Sequence, residues 1–166
     1  MPMLVDLDFN ISRRGRYVTW LVFVGWMGLA APAQAVDFAI GADLSFLADA
    51  EARGVVFKVD GEPKPGLEIF RDHGYNWIRL RLFHSPDELP NDLEYTVALA
   101  KAAKSLGYKF LLNIHYSDTW ADPGKQFTPR AWVGKSHEEL TEAVYEYTRD
   151  TIAAFREAGA MPDMVQ

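Results

Sequence analysis

The stretch Trp77-Ile78-Arg79-Leu80-Arg81-Leu82-Phe83 decides the fold of this chain. Three aliphatic residues, Ile78, Leu80 and Leu82, alternate in it with two arginines. Because successive side chains of a β-strand point to opposite faces of a sheet, the aliphatic set can pack under helices while the arginines point to the other face. The stretch therefore predicts a strand that carries two guanidinium groups on an interior face.

Outward from this strand, strand-like and helix-like segments alternate along the chain. The other predicted strands cover residues 38–42, 55–59 and 110–115, and a last one begins at Met164. The predicted helices cover residues 46–53 and 67–73, followed by one capped at Asn91 that ends before Gly107 and one capped at Ser136 that ends at Gly159. Strands that alternate with helices are typical of a parallel α/β protein, either a doubly wound sheet or a TIM barrel.

Composition excludes several classes of protein. The chain has 166 residues, of which 49% are hydrophobic, and it has no cysteine, so neither a disordered tail nor a disulfide-stapled miniprotein fits. A net charge of -6 and a pI near 5.2 argue against a nucleic-acid partner, because binding a polyphosphate needs an excess of Lys and Arg. The chain also has no phosphate loop of the Walker type, and we expect no cofactor.

The N-terminus has the layout of a signal peptide. The basic cluster Ser12-Arg13-Arg14-Gly15-Arg16 precedes an uncharged run, residues 17–31, and the small-residue site Ala33-Gln34-Ala35 follows. The run is shorter than the roughly 20 residues of a membrane-spanning helix, so we expect no stable membrane anchor. We therefore expect a leader, residues 1–35, cleaved near Ala35, and a secreted product, extracellular or periplasmic.

The remaining residues, 36–166, favour part of a barrel over a nucleotide-binding sheet. A dinucleotide site needs a glycine-rich turn after the first strand, whereas Gly41-Ala42-Asp43-Leu44-Ser45 has one glycine and an acid where a phosphate would sit. A complete (β/α)8 barrel needs roughly 250 residues. We therefore expect the N-terminal part of a TIM barrel, with about three βα units and the start of strand 4.

Polar side chains collect at the ends of the predicted strands. Strand alternation turns Arg79 and Arg81 inward, together with Asn113, His115 and Asp43. The C-terminal strand ends of a TIM barrel carry the active site, and buried guanidinium groups there need carboxylate partners. The pattern predicts a functional cluster, although an arginine that pairs with Asp43 only to close the barrel top would show the same residues.

The loop after the predicted strand 110–115 combines acids with aromatic rings. It contains His115-Tyr116-Ser117-Asp118-Thr119-Trp120-Ala121-Asp122-Pro123-Gly124. Imidazole and carboxylates can bind metals, but no second histidine is close and the spacing matches no metal motif. The flat face of Trp120 beside hydrogen-bonding acids suits a sugar better, and a ring that fills the core beneath the loop is the alternative.

Together these residues resemble a known family. The blocks that carry the resemblance are Gly41-Ala42-Asp43-Leu44-Ser45, Ile78-Arg79-Leu80-Arg81, Asn91-Asp92-Leu93-Glu94, residues 115–126 and Pro162-Asp163-Met164-Val165-Gln166. They are similar to glycoside hydrolase family 53, the endo-β-1,4-galactanases, over residues 38–166. The resemblance implies a (β/α)8 barrel that cleaves β-1,4-galactan in type I arabinogalactan with retention of configuration.

The resemblance also implies that the matching residues are supporting ones. The two glutamates of the family, an acid/base at the end of strand 4 and a nucleophile on strand 7, lie beyond Gln166, so we expect no catalytic residue within the chain. Arg79 would lie beside the nucleophile and lower its pKa, and Asp43 would brace Arg79 and Arg81. The sugar at the cleavage point would be bordered by His115, Asp118 and Trp120. No metal ligand is implied among these residues.

We therefore expect the N-terminal part of a secreted endo-β-1,4-galactanase, inactive as a 166-residue product. Two alternatives stay open at this point. One is a noncatalytic, galactan-binding half barrel that uses Trp120 and Asp118, and the other is a metal-dependent barrel hydrolase that uses His115. The expected partner is β-1,4-galactan or arabinogalactan.

Overall fold

A parallel sheet of four strands lies at the centre of the chain. The structure, a computed structural model, describes residues 38–166, and the predicted leader and its cleavage site lie outside them. In chain order the elements are β1 (Gly41–Asp43), α1 (Leu47–Ala52), β2 (Lys58–Val59), β3 (Glu62–Pro63), α2 (Gly66–Asp72), β4 (Trp77–Phe83), α3 (Leu93–Ser105), β5 (Lys109–His115), a 3-10 helix (Arg130–Trp132), α4 (His137–Glu157) and β6 (Met164–Val165). The sheet order is β1, β4, β5, β6.

This order is the one expected of consecutive strands in a barrel. All three strand pairs of the sheet are parallel, and α2, α3 and α4 each lie between two strands that pair in the sheet. Parallel neighbours need such a crossover, and closing a barrel needs each strand to pair with the next. None of the helices in residues 38–166 is long and apolar enough to cross a membrane.

The alternation of β4 serves both faces of the sheet. Ile78, Leu80 and Leu82 are at most 2% exposed and belong to the main hydrophobic core, together with Phe110 and Leu112 of β5. Burying a side chain of this size stabilises the fold by about 1.5–3 kcal/mol. The strand bounds and this apolar face were predicted from the sequence and are confirmed.

The N-terminal caps of two helices were predicted from the sequence, and one of the two predictions is right. Ser136 and Glu139 form the predicted capping box at the start of α4, in which each side chain accepts a backbone N–H of the other residue. At the start of α3 the prediction of Asn91 as the cap is wrong. Asp92 caps the helix by accepting the N–H of Tyr95, because the side chain of Asn91 is buried and donates to the Ser45 carbonyl instead.

The first strand is shorter than predicted and lies later. β1 pairs with β4 only from Gly41 onward, whereas Phe38 is 81% exposed and Ile40 is 43% exposed. The strand predicted over residues 38–42 therefore begins only at Gly41, and within residues 38–166 the side chains of Phe38 and Ile40 stay exposed. The strand predicted over residues 55–59 is reduced to β2, which forms an antiparallel hairpin with β3 across an Asp60-Gly61 turn.

Candidate active site

An ion-pair cluster lies at the C-terminal ends of β1 and β4. Asp43 Oδ2 lies 3.2 Å from Arg79 Nη1 and 2.9 Å from Arg81 Nη2. The parallel register places Asp43 directly opposite Arg79, so the two strands bring the three side chains together. The sequence-based prediction that Asp43 braces both arginines matches this geometry. One carboxylate faces two guanidinium groups, which leaves the cluster positively charged.

Ser45 is hydrogen-bonded to two residues of the cluster, Asp43 and Arg81, and its role was not predicted from the sequence. Its hydroxyl lies 2.6 Å from Asp43 Oδ1, and its backbone N–H donates to the same oxygen at 3.2 Å. The N–H of Arg81 donates to the Ser45 hydroxyl at 2.9 Å. The signal that was available is the Asp-x-Ser spacing, in which an aspartate after a strand accepts the N–H two residues later.

Trp120 lies against the arginine side of this cluster. The guanidinium carbon of Arg81 is 4.8 Å from the ring centre of Trp120. The ring also contacts Phe83 edge-on at 5.4 Å and Phe46 at 5.9 Å, yet 41% of the residue is exposed. Trp120 is therefore neither a loose surface ring nor a fully buried core residue. Contact between Trp120 and a sugar stays a prediction.

His115 lies at the end of β5 as a neutral imidazole. Its ring stacks on Phe83 with 4.6 Å between the centres. Burial lowers the pKa of His115, and the positive charges of Arg81 and Arg79 lower it further, while Asp43 acts in the opposite direction. Within the described residues, His115 Nε2 and Arg79 Nε are buried without a hydrogen-bond partner. Because Asp43 is shared by two guanidinium groups, the cluster keeps positive charge that would favour a nearby carboxylate.

Asp118 joins two loops at the C-terminal edge of the sheet. Its Oδ1 accepts the N–H of Ser85, in the loop after β4, at 3.0 Å, and its Oδ2 accepts the N–H of Arg130, after β5, at 2.8 Å. We call these three residues the Asp118 clasp. Both carboxylate oxygens are thus engaged inside the chain, so the structure shows a loop-bracing contact, whereas the predicted contact with a sugar stays a prediction.

The Asp118 clasp rests on an aromatic cluster. His84 lies 4.6 Å from the ring of Trp132 and 4.6 Å from that of Tyr147. Burial lowers the pKa of His84 although Asp118 raises it, and burial raises the pKa of Tyr147 to about 12. Both groups are therefore neutral at pH 7, which fits a packed, apolar support for the loops.

A cleft of about 400 Å³ opens between the loops after β4 and β5. Its lining includes Trp120, Phe127 and the polar side chains of Asp87, Glu88 and Arg130. Aromatic faces mixed with charged and hydroxyl groups suit a polyhydroxylated ligand. In residues 38–166 no three or more His, Asp or Glu side chains are placed to hold a metal ion.

Consecutive parallel strands with a polar cluster at their C-terminal ends define part of a β/α-barrel enzyme. Comparison with known proteins agrees with that class and narrows it. The profile of Glycosyl hydrolase family 53 matches residues 39–166. The chain therefore belongs to glycosyl hydrolase family 53, as the resemblance of its motifs predicted.

Relatives and solved structures give the extent of the similarity. The chain is 39% identical over 131 residues to an arabinogalactan endo-β-1,4-galactanase of Cellvibrio japonicus, covering 78% of this chain and 35% of the relative. It is 42% identical over 130 residues to an uncharacterized protein in the bgaB 5′ region of Niallia circulans, covering 78% of this chain and 36% of that relative. The Ignisphaera aggregans family 53 catalytic domain superposes with a TM-score of 0.74 at 39% identity, covering 81% of this chain and 40% of that domain.

The same matches show how much of its relatives' length this chain covers. It spans about a third of the length of the curated relatives it matches. The superposition confirms the predicted fold class, a partial TIM barrel.

Proposed function

We propose that this chain forms the N-terminal part of a retaining endo-β-1,4-galactanase that cleaves β-1,4-galactosidic linkages in type I arabinogalactan. The observation that carries the proposal is the Asp43, Arg79 and Arg81 cluster beside Trp120. It lies in a chain 39% identical to an arabinogalactan endo-β-1,4-galactanase. The galactan chain runs over the C-terminal ends of β1, β4 and β5.

The cluster prepares the site for a carboxylate nucleophile. A retaining glycosidase needs one carboxylic acid to protonate the leaving oxygen and a carboxylate about 5 Å away to attack the sugar. Two guanidinium groups that share one carboxylate have positive charge to spare, and a nearby cation keeps a carboxyl ionised. Arg79, which has a buried Nε without a partner in residues 38–166, is the residue best placed for this role.

Sugar contacts come from the rim of the same edge. Trp120 presents an aromatic face to the C–H groups of a galactosyl unit, and His115, whose ring centre lies 6.2 Å from that of Trp120, borders the same sugar. Asp118 borders the same sugar from its loop and at the same time braces the loops after β4 and β5, which lie next to the Trp120 face. The ion pair between Asp43 and Arg81 borders the sugar-binding face of Trp120.

The 166-residue polypeptide alone is inactive in this proposal. By resemblance the acid/base follows Gln166, whose N–H donates to the Leu112 carbonyl at 2.8 Å and whose carbonyl accepts the N–H of Ile114 at 3.0 Å. A chain that continued this register would reach the level of His115 two residues later. The missing carboxylate would thus enter the site beside the residues described above.

Activity on galactan tests the proposal. The purified 166-residue polypeptide should release no reducing ends from β-1,4-galactan. The same chain joined after Gln166 to the remaining barrel of the Cellvibrio japonicus relative should release them, and Trp120→Ala in that fusion should raise KM. A folded fusion that leaves galactan intact would contradict the substrate, and turnover by the polypeptide alone would contradict its inactivity.

Secretion is the second part of the proposal. Expression in a bacterial host with separate assays of medium, periplasm and cytoplasm should show export. N-terminal sequencing of the exported product should begin at Val36. A product that stays in the cytoplasm with Met1 in place would contradict the leader.

A further inference from the structure

Ser45 has a place under the cluster that the proposed mechanism does not use. It lies between β1 and α1 and is 1% exposed. Its hydroxyl touches Asp43 Oδ1 at 2.6 Å on one side and the N–H of Arg81 at 2.9 Å on the other. It therefore joins the two residues of the cluster through one oxygen atom.

The direction of both hydrogen bonds of the Ser45 hydroxyl follows from its two partners. A serine hydroxyl has one donor and two acceptor lone pairs, and a backbone N–H can only donate. Ser45 Oγ must therefore accept from Arg81 and donate to Asp43. With Oδ1 held by Ser45, the other oxygen of Asp43 is left to face both guanidinium groups. The orientation of the carboxylate follows from the serine.

Asn91 keeps Ser45 in its place. The side-chain amide of Asn91 donates to the backbone carbonyl of Ser45 at 2.7 Å, and the backbone carbonyl of Asn91 accepts the N–H of Phe83 at 2.9 Å. Asn91 is fully buried. The loop after β1 is thus tied to the end of β4, the strand that carries Arg81. The directional hydrogen bond from Asn91 fixes the backbone of Ser45 at this point.

We propose that Ser45 is a positioning residue that orients Asp43 and thereby holds the guanidinium of Arg81 over the Trp120 ring. This deepens the proposed function and rests on it, because the Arg81 and Trp120 surface is where the galactan chain would lie. Ser45 itself touches no substrate. It acts through Asp43, which pairs with Arg81 at 2.9 Å, and Arg81 lies 4.8 Å from the Trp120 ring centre.

The test uses nuclear magnetic resonance of the guanidinium groups in the full 166-residue chain without any sugar. Ser45→Ala should speed the exchange of the Arg81 Nη2 protons with water by about tenfold, because an Asp43 carboxylate that is no longer oriented by Ser45 loses its charged contact with this nitrogen. It should also remove the shift that the Trp120 ring current gives to Arg81. Ser45→Thr keeps the hydroxyl and should retain both signals.

Ser117→Ala is the matched control. Ser117 is also buried at this edge of the sheet, and its hydroxyl also accepts a backbone N–H, that of Thr119, but its hydroxyl is hydrogen-bonded to neither Asp43 nor Arg81. The Arg81 signals should be those of the wild type in this variant.

Unchanged Arg81 signals in a folded Ser45→Ala chain would overturn the proposal, and so would their loss in Ser45→Thr, because packing alone would then control Arg81. If Ser45→Ala does not fold, Ser45→Cys keeps the volume with a weaker donor and is judged by the same outcomes. If neither variant folds, Ser45 is a folding residue and the proposal is wrong. Since no galactan is present, a failure of the proposed activity leaves this result unaffected.

Discussion

Arg81 lies with its guanidinium carbon 4.8 Å from the ring centre of Trp120. The same guanidinium pairs with Asp43 at 2.9 Å. An arginine from β4 thus joins a carboxylate from β1 to an aromatic ring from the loop after β5. Cation–π contacts contribute about 0.5–1 kcal/mol at exposed sites and about 2 kcal/mol when desolvated. A substitution at any one of these three side chains should therefore alter the position of the other two.

Asp43→Asn should destabilise the fold. It removes the only carboxylate hydrogen-bonded to either guanidinium in the described residues and leaves two charges facing each other. Breaking a fully buried pair costs about 3–5 kcal/mol, and the side chains here are 23–34% exposed, so we expect a loss of about 1–3 kcal/mol in urea unfolding. Asp72→Asn, at an exposed pair with Lys64 and Arg71, is the control and should leave the curve unchanged. Equal effects of the two variants would contradict the expectation.

Asp118→Ala should loosen two loops at once. The amide protons of Ser85 and Arg130 both lose their acceptor, and their exchange with deuterated solvent should become about tenfold faster or more. Asp87→Asn is the control, because Asp87 pairs with Arg130 at the surface, where ion pairs contribute little. Protection that survives in Asp118→Ala would show that the loops hold themselves without the clasp.

Acid should weaken the fold through His115. Its pKa is below the ordinary 6.5, chiefly through burial, so between that lowered value and 6.5 the unfolded chain binds more protons than the folded one. The free energy of unfolding should therefore fall as the pH drops from 6.5 toward the pKa of His115 in the folded chain. When the pH is raised above 6.5 again, the full free energy of unfolding should return. His115→Gln should flatten this slope and leave the part that comes from His84, whose pKa is also lowered. An unchanged slope between pH 7 and pH 5 would argue against a buried, neutral imidazole at position 115.

Ser136→Ala should destabilise the start of α4. It removes the hydroxyl that accepts the N–H of Glu139, and loss of such a cap costs about 0.5–2 kcal/mol. Thr141→Ala, on the same helix, removes a hydroxyl that bonds only to the His137 carbonyl one turn earlier, and should have little effect, since alanine favours helices. Thermal unfolding of both variants compares the two, and an equal loss would mean that the cap has no special role.

Local patterns in the sequence predicted most of the elements. β4 and the α4 capping box follow from signals that neighbouring residues carry, namely strand alternation and a serine three residues before a glutamate. The inward direction of Arg79 and Arg81 follows from the same alternation. These features need no knowledge of distant residues, and the structure confirms them.

Errors arose where distant segments compete for the same groups. Asn91 has the chemistry of a helix cap, but the Ser45 carbonyl takes its side chain and Asp92 caps the helix. Helical spacing puts Tyr95, Leu99, Ala102 and Leu106 on one apolar face of α3. Ala102 is nevertheless exposed, and the buried residues are Thr96, Leu99, Ala100 and Ala103. Packing of the whole helix against β4 and β5 sets this rotation, and periodicity alone does not fix it.

The sequence by itself determined the class of fold, the family and the residue types at the strand ends, because alternation, caps and motif blocks are written in neighbouring residues. Only the tertiary structure decided which of these side chains meet. The register of β1 on β4 places Asp43 between two arginines, and the loop after β5 brings Trp120 over one of them. It also decided that Asp118 joins two loops and that Ser45 carries a hydrogen bond between Asp43 and Arg81. Apart from the Ser45 bond to Asp43, two positions away, and the Asp118 bond to Arg130, twelve positions away, these contacts join residues more than 30 positions apart. Strand pairing and loop closure, which act across the whole chain, set their geometry.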